Sequence, residues 1–197
     1  MRDLNIRLSI KLNVLTVAFV KRFVLYSIKH IMYFQIPHML FVINSEIVRS
    51  STSGGAVTAF SKEIINNGGI VFGGAFDGNF YVKHTYAETE SELSKFRSSK
   101  YVQSDMGTTF TEVKQQLDNG KFVMFTGTPC QVEGLQNYLR KPYDNLFTID
   151  FVCRAVPSPL VWEKYREFME KKFGSEITYA NFREKTYGYH RDRKSVV

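Results

Sequence analysis

Cys130 and Cys153 are the residues of this chain with the most distinctive chemistry, because each follows an apolar run and precedes a stretch of helical spacing. Lys121-Phe122-Val123-Met124-Phe125 reads as a short buried strand. After Thr126-Gly127-Thr128, Pro129 suits the first turn of a helix that Val132, Leu135, Tyr138 and Leu139 continue. A thiol there faces free backbone N–H groups and the positive end of the helix dipole, which favour a thiolate or a bound anion. The same position also accommodates a cysteine that is only a small buried hydrophobe. Leu146 to Val152 is a second strand-like run, Cys153 follows it, and Val161 to Phe173 has helical periodicity. In a parallel sheet the carboxyl ends of the strands share one side, so both thiols are expected along one crevice, within about 10 Å. Two cysteines in 197 residues do not make the dense disulfide framework of a secreted scaffold.

Two further segments have anion-binding character. Ser51-Thr52-Ser53-Gly54-Gly55 precedes Ala56, Val57, Phe60, Ile64 and Ile65, whose spacing gives an amphipathic helix ended by Asn66-Asn67-Gly68-Gly69. Hydroxyls and N–H groups at such a helix start suit a phosphate, although Ser, Thr and Gly are also ordinary N-caps. No Lys follows the glycines and the dinucleotide spacing is missing, so neither common phosphate-loop pattern applies. Lys95, Arg97 and Lys100 surround Ser98-Ser99 and precede Tyr101. A cation there suits a phosphate while the tyrosine covers an aromatic ring, or the run is a solvated charged face. Lys100 is the strongest single candidate.

Taken in order, Ser51 to Gly55, Ser99 to Ser104, Thr126 to Gln131, and Cys153 with Val156-Pro157-Ser158-Pro159 resemble the flavin-binding beta subunits of coenzyme F420 hydrogenases and dehydrogenases. The resemblance spans about 140 residues, from Ser50 to Gly188. It implies an FAD-dependent iron–sulfur oxidoreductase that relays electrons between an iron–sulfur partner and a two-electron acceptor, a deazaflavin or another molecule. It further implies that FAD is held by Ser51, Thr52, Ser53, Gly54 and Gly55, by Lys100, Tyr101, Gln103 and Ser104, and by Thr126, Gly127 and Thr128. Cys130 and Cys153 become candidate iron–sulfur ligands or catalytic thiols beside the flavin. Two thiols cannot complete a four-cysteine site, so the remaining ligands would come from other sequence or another subunit. Arg154-Ala155 stands where relatives often carry His-Gly; the arginine either keeps positive charge near the redox centre or pairs with Asp150. The implied partner is a ferredoxin-like protein or a hydrogenase or dehydrogenase subunit, and the implied location is cytoplasmic. A competing reading is a non-catalytic, truncated module that docks to such a partner.

The elements that must position these residues alternate. Ile70 to Phe76 and Phe80 to Tyr86 are strand-like runs around Asp77-Gly78-Asn79, a hairpin signal. Thr108 to Leu117 has helical spacing, and Ile177 to Phe182 reads as a last strand. The expected fold class is α/β, a mixed sheet with flanking helices in a single partial domain. His30, His38, His84 and His190 show no metal-ligand spacing.

A formal charge of +7 suggests nucleic acid until its distribution is read. Residues 1–45 carry six basic residues against one acidic, and 192–197 carry two against one, which leaves 18 basic and 17 acidic residues in 46–191. The nearly neutral middle excludes a nucleic-acid surface. Within 1–45 the apolar runs Val14 to Val20 and Phe23 to Ile28 fall short of the roughly 18 residues of a membrane span. The expected organisation is therefore a basic apolar extension at 1–45, in which a frameshift would explain the abrupt onset of the resemblance. A partial flavin-binding domain follows at 46–191. An artefactual tail closes the chain at 192–197, whose residues read as translated sequencing adapter. Both ends are expected to make few contacts with the rest.

Overall fold

The structure, a computed structural model, describes residues 45–51, 55–184 and 193–196. Thr52, Ser53, Gly54 and nearly all of the extension at 1–45 lie outside the described residues. In chain order the elements are α1 (Ser45–Arg49), α2 (Ala56–Asn66), β1 (Ile70–Phe76), β2 (Val82–Ala87), a 3₁₀ helix (Glu90–Phe96), α3 (Thr109–Asp118), β3 (Val123–Gly127), α4 (Pro129–Leu139), β4 (Leu146–Asp150), α5 (Pro159–Phe173), β5 (Ala180–Glu184) and β6 (Arg193–Val196).

β1 to β4 form one mixed sheet in the order β2-β1-β3-β4. β1, β3 and β4 run parallel, and β2 folds back antiparallel on β1 with Phe76 opposite Val82. Asp77 builds that hairpin loop: its carboxylate accepts the N–H groups of Asn79 and Tyr81, each at 2.9 Å. The expected α/β class with a mixed sheet and flanking helices is the observed one.

β3 is the centre of the domain and is buried along its whole length, as a parallel strand covered on both faces must be. Its alternating side chains divide the core. Val123 and Phe125 join Ile70, Phe72, Val113, Leu117, Val132, Leu135 and Leu139 beneath α3 and α4. Met124 points the other way, into Ile64, Val71, Ala87 and Leu93 beneath α2 and the 3₁₀ helix. A third cluster, Val82, Val102 and Trp162 with Phe76, Phe80 and Phe182, ties α5 and β5 to the hairpin. Each fully buried phenylalanine contributes on the order of 2–3 kcal/mol.

Several boundaries differ from the sequence reading. β3 continues through Thr126 and Gly127, which are ladder residues paired with Ile149 and Asp150 rather than turn residues. The last expected strand starts at Ala180, not Ile177. Residues 193–196, expected to make few contacts, form β6 and pair antiparallel with β5, Ala180 opposite Val196. The 3₁₀ helix was not anticipated, although Thr89 and Glu92 make a reciprocal capping box that the Thr-x-x-Glu spacing signals.

Candidate functional site

The turn after β3 is set by its own residues. Thr128 is the N-cap of α4, Pro129 occupies the first turn, and Gln131 folds back so that its Oε1 accepts the Thr128 N–H at 3.0 Å. Gly127 makes this possible. A Cβ built there would meet Gln131 Oε1 at 3.0 Å and Phe125 Cε1 at 3.2 Å, so any side chain would press on the returning glutamine. The cap holds Cys130 in the first turn of α4, exposed, with its Sγ 3.1 Å from Thr128 Oγ1. Thr126, Gly127 and Thr128 themselves are buried.

Gln131 also reaches sideways. Its Nε2 donates to Ser104 Oγ at 2.8 Å, and Ser104 lies 2.9 Å from His84 Nδ1. His84 Nε2 in turn lies 3.0 Å from the Thr126 carbonyl. A carbonyl only accepts, so Nε2 carries the proton and Nδ1 accepts the Ser104 hydroxyl. Burial pushes the His84 pKa below its usual value, against the smaller opposing pull of the Thr126 carbonyl. The ring also lies stacked on Phe125, 5.3 Å between centroids. Ser104 is brought to this place by the segment beside β2: His84 donates its N–H to the Asp105 carbonyl and Asp105 donates to the Val82 carbonyl, both at 2.9 Å.

The neighbouring segment is tied in from the other side, where Gln103 N–H donates to the Pro157 carbonyl at 3.0 Å. The Gln103-Ser104, Thr126-to-Gln131 and Val156-Pro157 stretches thus meet at the carboxyl end of β3. Cys153 lies half-buried in the connection between β4 and α5, not at a helix start; Ser158 caps α5 and Pro159 begins it. Gly127 and Asp150 pair in register at the ends of adjacent parallel strands, and each cysteine stands three residues beyond its strand end.

Lys100 is held differently from the sequence expectation of a phosphate-facing cation. Its Nζ donates to the carbonyls of Arg97 at 2.9 Å and Ser98 at 3.2 Å and lies 5.8 Å from the centre of the Phe76 ring. Burial lowers its pKa to about 8. The loop it closes places Ser98 at φ 73, a left-handed conformation costly for a residue with a Cβ. Arg97 Nε is buried there with no hydrogen-bond partner among the described residues. Tyr101 is exposed and meets Phe182 edge-on at 5.8 Å. Ser51 Oγ donates to the Ile47 carbonyl at 2.6 Å, and Gly55 caps α2 at φ 79 against Ile47.

His84 is the residue the sequence reading passed over as a site member. His84 carried no signal beyond its place in a strand, since its partners are 20 and 42 residues away. Among the described residues no group of three or more His, Cys, Asp or Glu side chains is placed to hold a metal ion. No described helix is long and apolar enough to cross a membrane.

No curated protein matches the chain. Among solved structures, the fold is similar to a chain of the xenon-derivatised F420-reducing NiFe hydrogenase complex from Methanosarcina barkeri, with 17% identity and a TM-score of 0.50. That alignment covers 80% of this chain and 58% of the other, so the present chain spans little more than half of that protein's length. Residues 120–196 match the family model that describes the C-terminal part of the coenzyme F420 hydrogenase/dehydrogenase beta subunit. The chain is thus similar to the C-terminal part of that beta subunit over the stretch that includes β3, Cys130 and Cys153.

Proposed function

We propose that this chain is the flavin-binding part of an oxidoreductase, passing electrons between an iron–sulfur partner and a two-electron acceptor, either a deazaflavin or another carrier. The observation that carries the reading is the convergence of three separate segments at the carboxyl end of the central parallel strand, where open α/β sheets bind ligands. Two features of the residues fit a phosphate-bearing cofactor. Arg97 Nε is buried with no hydrogen-bond partner among the described residues, and burial alone accounts for the lowered pKa of Lys100.

In this reading Lys100 to Ser104 and Thr126 to Thr128 hold FAD, with Ser51 to Gly55 contributing at the start of α2. The bound flavin would supply the change between two-electron and one-electron transfer. The chain's own residues bind and orient it: the α4 cap fixes the backbone around Thr128, Ser104 and Gln131 fix each other, and Cys130 stands exposed beside them. An iron–sulfur cluster does not fit the described residues on their own, because they offer two thiols where a cluster takes four ligands. The cluster in this proposal belongs to the partner or to further sequence.

A second reading is supported by a different observation. Val152 is 96% exposed, and Leu160, Val161 and Phe168 also stand in solvent on and beside α5. Exposed apolar side chains of this kind suit a non-catalytic docking module for a hydrogenase or dehydrogenase subunit. The two readings separate on one measurement. Purified full-length chain is incubated with FAD, passed through a desalting column and read at about 450 nm. Stoichiometric retention supports the flavin protein. A folded chain that retains no flavin overturns that reading and leaves the docking module.

A further inference from the structure

His84 is a buried titratable residue that no recognised segment contains, yet it touches two of them. Its Nε2 donates to the Thr126 carbonyl in β3, and its Nδ1 accepts from Ser104, which accepts from Gln131, which accepts from Thr128. Five residues from three separate segments of the sequence are thereby in one unbroken chain of hydrogen bonds, ending at the cap that holds Cys130. The ring is also clamped flat on Phe125, so its two nitrogens have one orientation in which both bonds are made.

We propose that His84 is a positioning residue of the site: its imidazole fixes the Ser104 hydroxyl and, through it, the Gln131 amide, and so sets the Thr128–Cys130 turn that the flavin meets. The proposal rests on the flavin-binding reading for its consequence, but its structural core does not, because the same chain determines the surroundings of the Cys130 thiol. A histidine is suited to this place because it offers one donor and one acceptor on opposite edges of a rigid ring. Glutamine has the same pair on a flexible stem, whereas leucine has neither.

The test uses the full chain with two readouts: the FAD dissociation constant, and the rate of Cys130 alkylation by iodoacetamide with Cys153 in the same molecules as internal reference. His84→Leu and Ser104→Ala are each expected to weaken FAD binding about fivefold and to change the Cys130 rate by a similar factor, with the Cys153 rate unchanged. The double variant is expected to be no worse than either single one, since both cut the same chain. His84→Gln is expected to restore most of both readouts. Additive effects of the two substitutions overturn the proposal. So does a His84→Leu variant with unchanged Cys130 reactivity, or a parallel change in both cysteines, which would mark general loosening. If the unaltered chain binds no FAD, the flavin reading fails, and the Cys130 cycle still decides the role of His84.

Discussion

His84 Nδ1 lies 2.9 Å from Ser104 Oγ, and this contact joins the hairpin strand β2 to the segment that reaches Gln131 and the cap of α4. The other hydrogen bonds that tie the Gln103-to-Asp105 stretch to other segments, among the described residues, come from Gln131 and from the backbone of Val82, His84 and Pro157. The site is therefore held by side chains across elements rather than by one loop. Its sensitivity to substitution should follow that network rather than distance from Cys130.

Gly127→Ala tests the first link. The added methyl would meet Gln131 Oε1 and Cβ at 3.0 and 3.2 Å, so the glutamine must give by a few tenths of an ångström against its bond to the Thr128 N–H. A loss of about 1–3 kcal/mol in urea unfolding is expected, together with weaker flavin retention. Unchanged stability would show that Gln131 shifts without cost and that the cap is not held by close packing.

Acid should loosen the same network. His84 has its pKa lowered in the folded state by burial, so between that value and the ordinary 6.5 the unfolded chain binds a proton that the folded chain does not. Stability from this group is complete above pH 6.5 and is lost as the pH falls through the folded-state value, at no more than about 1.4 kcal/mol per pH unit. The His84→Gln variant should lack this component. Urea midpoints compared at pH 7 and pH 5 measure the difference; identical slopes in both proteins would remove His84 as its source.

Trp162 is the chain's single tryptophan and is 4% exposed, with its Nε1 donating to the Phe80 carbonyl at 2.8 Å. Its fluorescence therefore reports whether α5 is docked on the hairpin. Trp162→Ala is expected to cost about 3–5 kcal/mol, because it empties the centre of the third aromatic cluster. A circular-dichroism melt of this variant that stays near the unaltered chain's would show that α5 is held by other contacts.

The sheet was legible because burial on both faces leaves a plain mark: the run Val123 to Phe125 and the hairpin signal at Asp77-Gly78-Asn79 lie where β3 and the β1–β2 loop are. The start of α4 was legible for the same local reason, since Pro129 and the Thr128–Gln131 cap act within four residues. His84 was not. Its role depends on Ser104 and Thr126, which periodicity cannot bring near it. Lys100 was singled out by its charge, but the sequence could not show that its ammonium turns back onto the Arg97 and Ser98 carbonyls. The pairing of β6 was missed because the adapter-like reading and the charge that set 192–197 apart do not report strand pairing.

Lys100 makes the alkaline range informative. Burial lowers its pKa to about 8, against 10.5 when free, so at neutral pH the folded chain holds a charged amine in a place that disfavours it. The unfolded chain keeps its proton up to 10.5, so between the two values stability rises with pH, by at most about 1.4 kcal/mol per unit. The sign distinguishes this from general alkaline unfolding, which lowers stability. Lys100→Met retains the stem over Phe76 without the charge, and its urea midpoint should exceed that of the unaltered chain at pH 7 and match it near pH 10. Bound FAD should reverse the comparison at pH 7 if a phosphate meets this amine, since the ion pair then favours the charged form. A Lys100→Met variant that binds FAD as tightly as the unaltered chain would show that the lysine closes its own loop and does nothing for the cofactor.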